Sequence, residues 1–215
     1  MTGPDLAAAL AIRSPAECAA LYRDWAASYD AGFAGAMDYR LPAHVAGAFL
    51  AAGGRGPVLD AGAGTGLLGA ALRDLGYTGP IDGVDLSPEM LDRARAKGCY
   101  RALSLADLTG PMTPRPENGG VEYGGIVSSG TFTFGHVGPG ALTGLLGIAM
   151  PGAVLALSVN EGVWDAAGWP AALAALEQHL TAMEVFEVPV YGAAAVARDA
   201  AHAGHLARIV VLTRA

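Results

Sequence analysis

Residues 58–66 read VLDAGAGTG, a stretch in which a short apolar run leads into an acid and three glycines. Val58 and Leu59 have the apolar character of a buried strand. Glycines directly after a strand allow a sharp turn and a close approach of the backbone to a ligand. The stretch therefore predicts the first strand of an α/β domain, followed by a ligand-binding turn.

Strand and helix patterns alternate on the C-terminal side of this turn. The helical patterns LLGAALRDL and EMLDRARAK separate strand patterns that include IDGVD, YRALSL, YGGIVSS and AVLALSV. We expect further helices near Leu142–Met150 and from Trp169 to about Thr181, and a turn at Pro151-Gly152. The last two strand patterns, EVFEVPVY and LARIVVLT, have no convincing helix between them. This order predicts a doubly wound, mostly parallel seven-stranded α/β sheet with an antiparallel C-terminal hairpin.

Two helices are expected on the N-terminal side of the glycine turn. SPAE at 14–17 has the residues of a helix start, and a second helix should follow Pro42 and end at Gly53-Gly54. We interpret residues 1–55 as a helical cap and residues 56–215 as an α/β core. A chain of 215 residues is long enough for one such domain, so a single domain over 1–215 is predicted.

The composition argues against several partners. The formal net charge is −7, the basic residues are scattered, and Lys97 is the only lysine, so no nucleic-acid partner is expected. Cys18 and Cys99 lie far apart and have neither metal-ligand spacing nor the pattern of a disulfide framework. The start has no signal-peptide pattern, and Pro151-Gly152 divides the apolar stretch Ala141–Val159. We therefore expect a cytoplasmic protein with no membrane contact and no obligate protein partner.

Three kinds of nucleotide compete for the glycine turn. A P-loop is excluded because no Gly-Lys-Ser/Thr sequence ends the turn. GTGLLG at 64–69 matches the dinucleotide fingerprint, but it begins four residues after Asp60 instead of directly after the strand. A carboxylate at Asp60 would repel a pyrophosphate by roughly 4 kcal/mol at ~4 Å. The acid favours a cationic nucleoside without phosphate, and S-adenosylmethionine has that chemistry.

Two further acids follow the next strands. Asp85 ends the second strand, where its carboxylate can accept hydrogen bonds from both ribose hydroxyls, although NAD sites use an acid at the same place. Asp107 follows the third strand and either meets the adenine amino group or is a solvated loop residue. These acids fit a nucleoside but do not decide which one.

The motifs VLDAGAGTG and GVDLSPEMLDRAR resemble the first two motifs of class I S-adenosylmethionine-dependent methyltransferases, over about Pro57–Asn160. WAASYDAGF and SGTFTFGHVGP are similar to the methyltransferase-like family named after the Williams–Beuren syndrome region. One departure is Tyr123-Gly124-Gly125, where the class often has an aromatic residue followed by Asp. The resemblance implies contacts of the glycine turn with the methionine end, Asp85 with ribose, and Leu86, Asp107 and Leu108 with adenine. The expected residues of this part of the cofactor site are Asp60, Gly62, Ala63, Gly64, Gly66, Asp85, Leu86, Asp107 and Leu108.

Four other residues complete the predicted site. Ser128 ends the fourth strand beside the expected methionine moiety, and Tyr22 and Tyr29 are expected either to cover the cofactor or to pack within a helix. His136 lies in a loop with aromatic and hydroxyl side chains, and an imidazole titrates near neutrality. We expect His136 to act as the catalytic base, with a structural or pocket-shaping histidine as the alternative.

These observations predict methyl transfer from S-adenosylmethionine to a small-molecule acceptor, leaving S-adenosylhomocysteine. No metal is expected, because His202 and His205 have no evident third ligand. Two alternatives stay open: an NAD(P)-dependent oxidoreductase built on GTGLLG, and a non-catalytic module that binds S-adenosylmethionine. The acceptor atom stays undetermined, since one scaffold can host many reactions.

Overall fold

The computed structural model describes residues 38–110, 112 and 122–215. The helix expected from SPAE, and Tyr22 and Tyr29, lie outside these residues. The helices are α1 Leu41–Ala51, α2 Leu67–Asp74, α3 Pro88–Ala96, α4 Ala141–Gly147, α5 Trp169–Leu176 and α6 Ala193–Arg198. The strands are β1 Val58–Ala61, β2 Ile81–Asp85, β3 Ala102–Leu105, β4 Tyr123–Phe132, β5 Ala149–Asn160, β6 Leu180–Pro189 and β7 Leu206–Arg214.

Within the described residues the seven strands form one sheet in the order β3-β2-β1-β4-β5-β7-β6. The pairs among β3, β2, β1, β4 and β5 are parallel, whereas β7 is antiparallel to both β5 and β6. The predicted fold, with its antiparallel C-terminal strands, is confirmed. The order reverses between β1 and β4, which is where a sheet of this kind binds ligands.

Helices cover both faces of the sheet, and strand residues alternate between two buried clusters. In β5, Leu155 and Leu157 face the cluster under α4 and α5, whereas Val154 and Ala156 face the cluster under α1 and α2. Because both faces are buried, the central strands read as continuous apolar runs in the sequence. The core thus fixes the strand ends that carry the site.

Three details differ from the sequence expectations. The helix expected to reach Met150 ends at Gly147, and Pro151-Gly152 lies within β5, where the pairing with β4 is irregular. α5 ends at Leu176, since a 3₁₀ turn at Glu177–His179 leads into β6. The loop between β6 and β7 contains α6 and a 3₁₀ turn at Ala200–Gly204, which the alanine-rich sequence did not indicate clearly.

The helix expected after Pro42 is present as α1, with its buried residues Val45 and Phe49 in the cluster that also contains α2. A helical cap over 1–55 stays a prediction, because most of it lies outside the described residues. In the part of the chain that the structure describes, no helix has the length and apolarity to cross a membrane. The apolar stretch from Ala141 is instead α4 followed by β5.

Candidate functional site

A cleft of about 1010 Å³, measured out to its open mouth, lies at the carboxyl ends of the central strands. It brings together the turn after β1, the ends of β2, β3 and β4, and the start of α1. The residues that line it are Tyr39, Pro42, Gly62, Ala63, Gly64, Thr65, Leu67, Leu68, Asp85, Leu86, Ser87, Met90, Ala106, Asp107, Leu108, Thr109, Ser129, Gly130, Thr131, His136 and Val137.

The glycine turn after β1 has a backbone that only glycine adopts readily. Gly62, Gly64 and Gly66 have φ values of +85°, +54° and +89°. A Cβ on Gly64 would meet nothing within 4 Å, whereas a Cβ on Gly62 would lie 2.1 Å from Thr131 Oγ1. Gly64 thus leaves space that a ligand can approach closely, and Gly62 allows the turn to touch the end of β4.

Asp85 connects this turn to the end of β2. Its carboxylate accepts hydrogen bonds from the backbone N–H groups of Gly64 at 2.8 Å and Ser87 at 2.9 Å. Burial raises the pKa of Asp85, and the backbone N–H groups of Ser87, Gly64 and Leu86 oppose that rise. Each carboxylate oxygen can accept more than one bond, so Asp85 can hold the turn and still accept hydroxyl donors from a ligand.

Asp60 does not occupy the position expected from the sequence. Its side chain is fully buried and absent from the cleft lining, and its Oδ2 accepts a hydrogen bond from the Tyr100 hydroxyl at 2.7 Å. Burial raises the pKa of Asp60 to about 7, while the Tyr100 bond lowers it and Asp85 raises it further. Direct attraction between a bound cation and Asp60 is therefore not supported: the carboxylate lies behind the turn.

Tyr100 explains the apparent dinucleotide fingerprint. A Cβ on Gly69 would lie 2.5 Å from the Tyr100 ring, and one on Gly66 would lie 3.0 Å from it. The Tyr100 hydroxyl also accepts a hydrogen bond from the Gly69 N–H at 3.2 Å. Two glycines of GTGLLG thus make room for an aromatic side chain. Gly66, predicted to contact the cofactor, is not in the lining and caps the start of α2.

The ends of β2 and β3 supply the other predicted contacts. Leu86, 39% exposed, and the buried Leu108 both line the cleft with Asp107. One carboxylate oxygen of Asp107 accepts bonds from the Thr109 N–H at 2.8 Å and the Thr109 hydroxyl at 2.6 Å. These bonds lower the pKa of Asp107. Asp107 therefore stays ionised at the cleft edge, while one of its oxygens stabilises its own loop.

At the end of β4 the structure moves the expected contact by one residue. Ser128 is fully buried and donates to the Ala61 carbonyl at 2.5 Å, which joins β4 to β1 and removes its side chain from the cleft. The predicted role of Ser128 in ligand binding is therefore not supported. Ser129, Gly130 and Thr131 line the cleft instead, in a segment where the pairing of β4 with β5 is irregular and Gly130 has a φ of +74°.

Tyr39 is a lining residue that the sequence analysis missed. Its ring lies 6.2 Å from that of Tyr191, to which it is joined by an isolated β-bridge, and a Cβ on Gly130 would lie 2.6 Å from its hydroxyl. Burial raises the pKa of Tyr39, and the Ser129 hydroxyl partly opposes that rise. Tyr39 thus presents an uncharged phenol at the end of β4. No local pattern around Tyr39 distinguishes it from an ordinary residue before a helix.

His136 lines the same cleft as the glycine turn. In the same loop, the ring of Phe134 occupies the space that a Cβ on Gly162 would need, so this loop contacts the segment after β5. Burial lowers the pKa of His136 to about 4. The imidazole is thus neutral at pH 7 and can accept a proton, although a base with this pKa is weaker than free histidine.

The lining fits an uncharged or cationic nucleoside better than a phosphorylated one. Among the described lining residues the acidic side chains are those of Asp85 and Asp107, and none is Lys or Arg. The open space at Gly64 and the hydrogen-bond acceptors on Asp85 suit close backbone contact and a ribose diol. The preference for a nucleoside without phosphate, which the sequence attributes to Asp60, thus comes from Asp85 and Asp107 in the structure. The described residues contain no cluster of metal-binding side chains.

Comparisons with known proteins agree with a fold and cleft that bind a nucleoside cofactor. Residues 58–142 match a family model described as a methyltransferase domain. The chain is 34% identical over 144 residues to methyltransferase-like protein 27 of Homo sapiens. The aligned region covers 65% of this chain and 56% of that protein. The chain thus spans little more than half the length of that relative.

Solved structures share the fold at low sequence identity. A TehB-like S-adenosylmethionine-dependent methyltransferase from Corynebacterium glutamicum superposes with a TM-score of 0.58 and 20% identity, over 91% of this chain and 99% of its own. An S-adenosylmethionine-dependent methyltransferase from Mesorhizobium loti has a TM-score of 0.55 and 16% identity, over 80% and 96%. The match over residues 58–142 and the shared fold together support a class I methyltransferase domain. S-adenosylmethionine is the cofactor of this class, as the sequence predicts, and the oxidoreductase alternative loses its support.

The buried Asp60 gives a prediction about stability. Its pKa lies at about 7 in the folded state, against 3.8 for an ordinary aspartate, so between these values the folded state holds a proton that the unfolded chain has lost. Stability should therefore fall as pH rises from about 4 to about 7, by at most about 1.4 kcal/mol per pH unit. Asp60→Asn has no such proton, so its stability relative to the native protein should increase over this range.

Urea unfolding at pH values from 4 to 8 measures this difference. Asp92→Asn, which changes an exposed aspartate on α3, is the matched control and should run parallel to the native protein. If Asp60→Asn also ran parallel to the native protein, Asp60 would not be the protonated buried group described above.

Proposed function

We propose that the protein transfers a methyl group from S-adenosylmethionine to a small-molecule acceptor bound in the cleft beside His136. The observation that carries this proposal is the meeting of Gly64, Asp85 and His136 in one cleft. The first two suit a nucleoside cofactor, and the third is a neutral proton acceptor in a loop after the same sheet edge. We propose this activity for the whole protein, with a small molecule as its acceptor and no obligate protein partner.

The cofactor would lie across the turn between β1 and β4. Gly62, Ala63 and Gly64 would contact its methionine end through backbone groups, and Asp85 would accept the ribose hydroxyls. Leu86 and Leu108 would hold the base between apolar side chains, with Asp107 at its edge. When bound, S-adenosylmethionine supplies a methyl group carried on a positively charged sulfonium.

The acceptor would enter from the side of the β4 loop. Thr131, His136 and Val137 give that side one hydroxyl, one imidazole and one apolar surface. The absence of Lys and Arg among the described lining residues favours a neutral or cationic acceptor over a phosphate-bearing one. This supports a small molecule rather than a nucleic acid as the substrate.

The chain's own residues would assist in two ways. The cleft aligns the acceptor with the cofactor and limits water, which is the main requirement of a displacement reaction. His136, neutral because burial lowers its pKa to about 4, would remove a proton if the acceptor atom carries one. Tyr39, whose pKa is raised, stays protonated and would act as a hydrogen-bonding group, not as a base.

Cofactor binding is tested by thermal unfolding with added ligand. At about 100 times its dissociation constant, S-adenosylmethionine or S-adenosylhomocysteine should stabilise the fold by about 2.7 kcal/mol, because both bind only the folded state. For a chain of this size the midpoint should rise by roughly 5–10 °C. NAD and NADP at equal concentration should leave it unchanged. A rise with NAD or NADP alone would contradict the proposal.

A further experiment separates an enzyme from a non-catalytic module. Incubation with methyl-labelled cofactor and a broad metabolite extract should transfer label to a small molecule, which mass spectrometry can identify. Heat-inactivated protein is the control. Binding of the cofactor without label transfer to any component would favour the module.

A further inference from the structure

Lys97, the single lysine of the sequence, lies at the end of α3 and reaches back to the glycine turn. Its Nζ donates a hydrogen bond to the backbone carbonyl of Thr65 at 2.5 Å. Thr65 is buried and stands between Gly64 and Gly66, both of which have positive φ. The ammonium therefore contacts the turn between its two neighbouring glycines of positive φ.

The end of α3 also packs against this turn. A Cβ on Gly66 would lie 3.1 Å from the Cα of Ala94, so the backbones of the two segments touch. Neither Ala94 nor Lys97 lines the cleft. Lys97 thus acts on the turn from the helix behind it, whereas Asp85 accepts the Gly64 N–H from within the cleft.

The two contacts have complementary charges and neighbouring targets. The carboxylate of Asp85 binds an N–H group, and the ammonium of Lys97 binds a carbonyl one residue further along. Hydrogen bonds to ionised groups are stronger than neutral ones, so the pair restrains a loop that three glycines make intrinsically flexible. A turn held in its binding shape before the ligand arrives binds more tightly, because less ordering is needed.

We propose that Lys97 is a positioning residue, whose ammonium holds the Thr65 carbonyl and so preorganises the cofactor turn. The proposal rests on the proposed function for the identity of the ligand. It assigns a binding role to a residue that does not touch the cleft.

Calorimetry with S-adenosylhomocysteine compares three variants. Lys97→Met removes the charge at similar length and should weaken binding about tenfold, which is about 1.4 kcal/mol. Lys97→Arg keeps a cationic donor and should stay within threefold of the native protein. Arg95→Met is the matched control, because Arg95 is exposed on the same helix, pairs with Asp92 and does not reach the turn. Equal affinity of Lys97→Met and the native protein would overturn the proposal.

Amide hydrogen exchange without ligand gives a second readout. The Gly64 N–H binds Asp85, and the Gly66 N–H binds the Ala63 carbonyl at 2.8 Å. Both amides should exchange faster in Lys97→Met, whereas amides in β5 and the urea midpoint should change little. Lys97→Gln replaces Lys97→Met if the latter does not fold.

The two readouts separate failure of this inference from failure of the proposed function. If the native protein bound neither S-adenosylmethionine nor S-adenosylhomocysteine, the proposed function would fail, and exchange at Gly64 and Gly66 would still test the role of Lys97. If the native protein bound the ligand and Lys97→Met bound it equally well, the positioning role would fail and the function would stand.

Discussion

His136→Ala should slow methyl transfer roughly 10²–10⁴-fold while leaving affinity for S-adenosylhomocysteine nearly unchanged. The imidazole lines the cleft on the acceptor side, so its removal should affect the reaction more than the cofactor. The measurement is kcat and KM for the acceptor found in the label-transfer screen. His179→Ala, an exposed histidine before β6, is the control and should keep native kinetics.

The pH dependence of kcat/KM gives a second test of His136 as the base. Because burial lowers the pKa of His136 to about 4, the base stays unprotonated from neutral pH down to about pH 5. The kcat/KM of the native protein should therefore fall only as the pH approaches 4, if no other group limits it. A loss confined to the KM of the acceptor would instead indicate that His136 shapes the pocket. Full activity of His136→Ala would end its role as base.

Asp85→Ala should weaken binding of S-adenosylhomocysteine by at least tenfold. The variant loses charge-assisted bonds to the ribose hydroxyls, worth about 1.5–3 kcal/mol each, and also the acceptor that holds the Gly64 N–H. Calorimetry measures the change. The exposed Asp92→Ala on α3 should bind like the native protein. Unchanged affinity of Asp85→Ala would remove Asp85 from the cofactor site.

A second substitution at this position separates the two roles of the carboxylate. Asp85→Asn keeps one oxygen that can accept the Gly64 N–H, but it cannot accept at both positions as a carboxylate does. An affinity of Asp85→Asn between those of the native protein and Asp85→Ala would show that both roles contribute.

Much of the fold was predictable, because strand patterns, glycine turns and helix starts are local signals. VLDA and IDGVD are strands, and the glycine turn follows β1 as expected. The ends of α4 and α5 were less predictable. Ile148 directly precedes β5 and Leu180 begins β6, and the pairing of these strands depends on residues far away in the sequence. α6 was missed because AAAVAR lacks a capping side chain or a clear polar face.

The site was predictable where a residue's role follows from its place at a strand end. Gly62, Gly64 and Asp85 line the cleft because the sheet brings their strand ends together. Asp60 and Ser128 do not line the cleft, since both belong to strands and their side chains bond to Tyr100 and the Ala61 carbonyl. Sequence spacing gives the strand end but not the direction of the side chain.

Tyr39 and Lys97 reach the site from positions that no motif marks. Tyr39 lies there because its segment pairs with Tyr191 after β6, and Lys97 because α3 ends beside the glycine turn. Contacts between segments so far apart depend on tertiary packing, which a local pattern does not report.

The placement of β7 between β5 and β6 links the local opening of the last two strands. β6 follows α5 in the chain, yet among the described strands its partner in the sheet is β7. Most of β6 is exposed, including Val185 and Phe186, so little else secures it. Because β6 pairs only with β7 among the described strands, we expect a fluctuation that detaches β7 from β5 to release β6 with it, as one cooperative unit. The strands around the cofactor turn belong to the other side of the sheet, so opening of this edge would reach the cleft through Tyr39, whose segment pairs with Tyr191 just after β6.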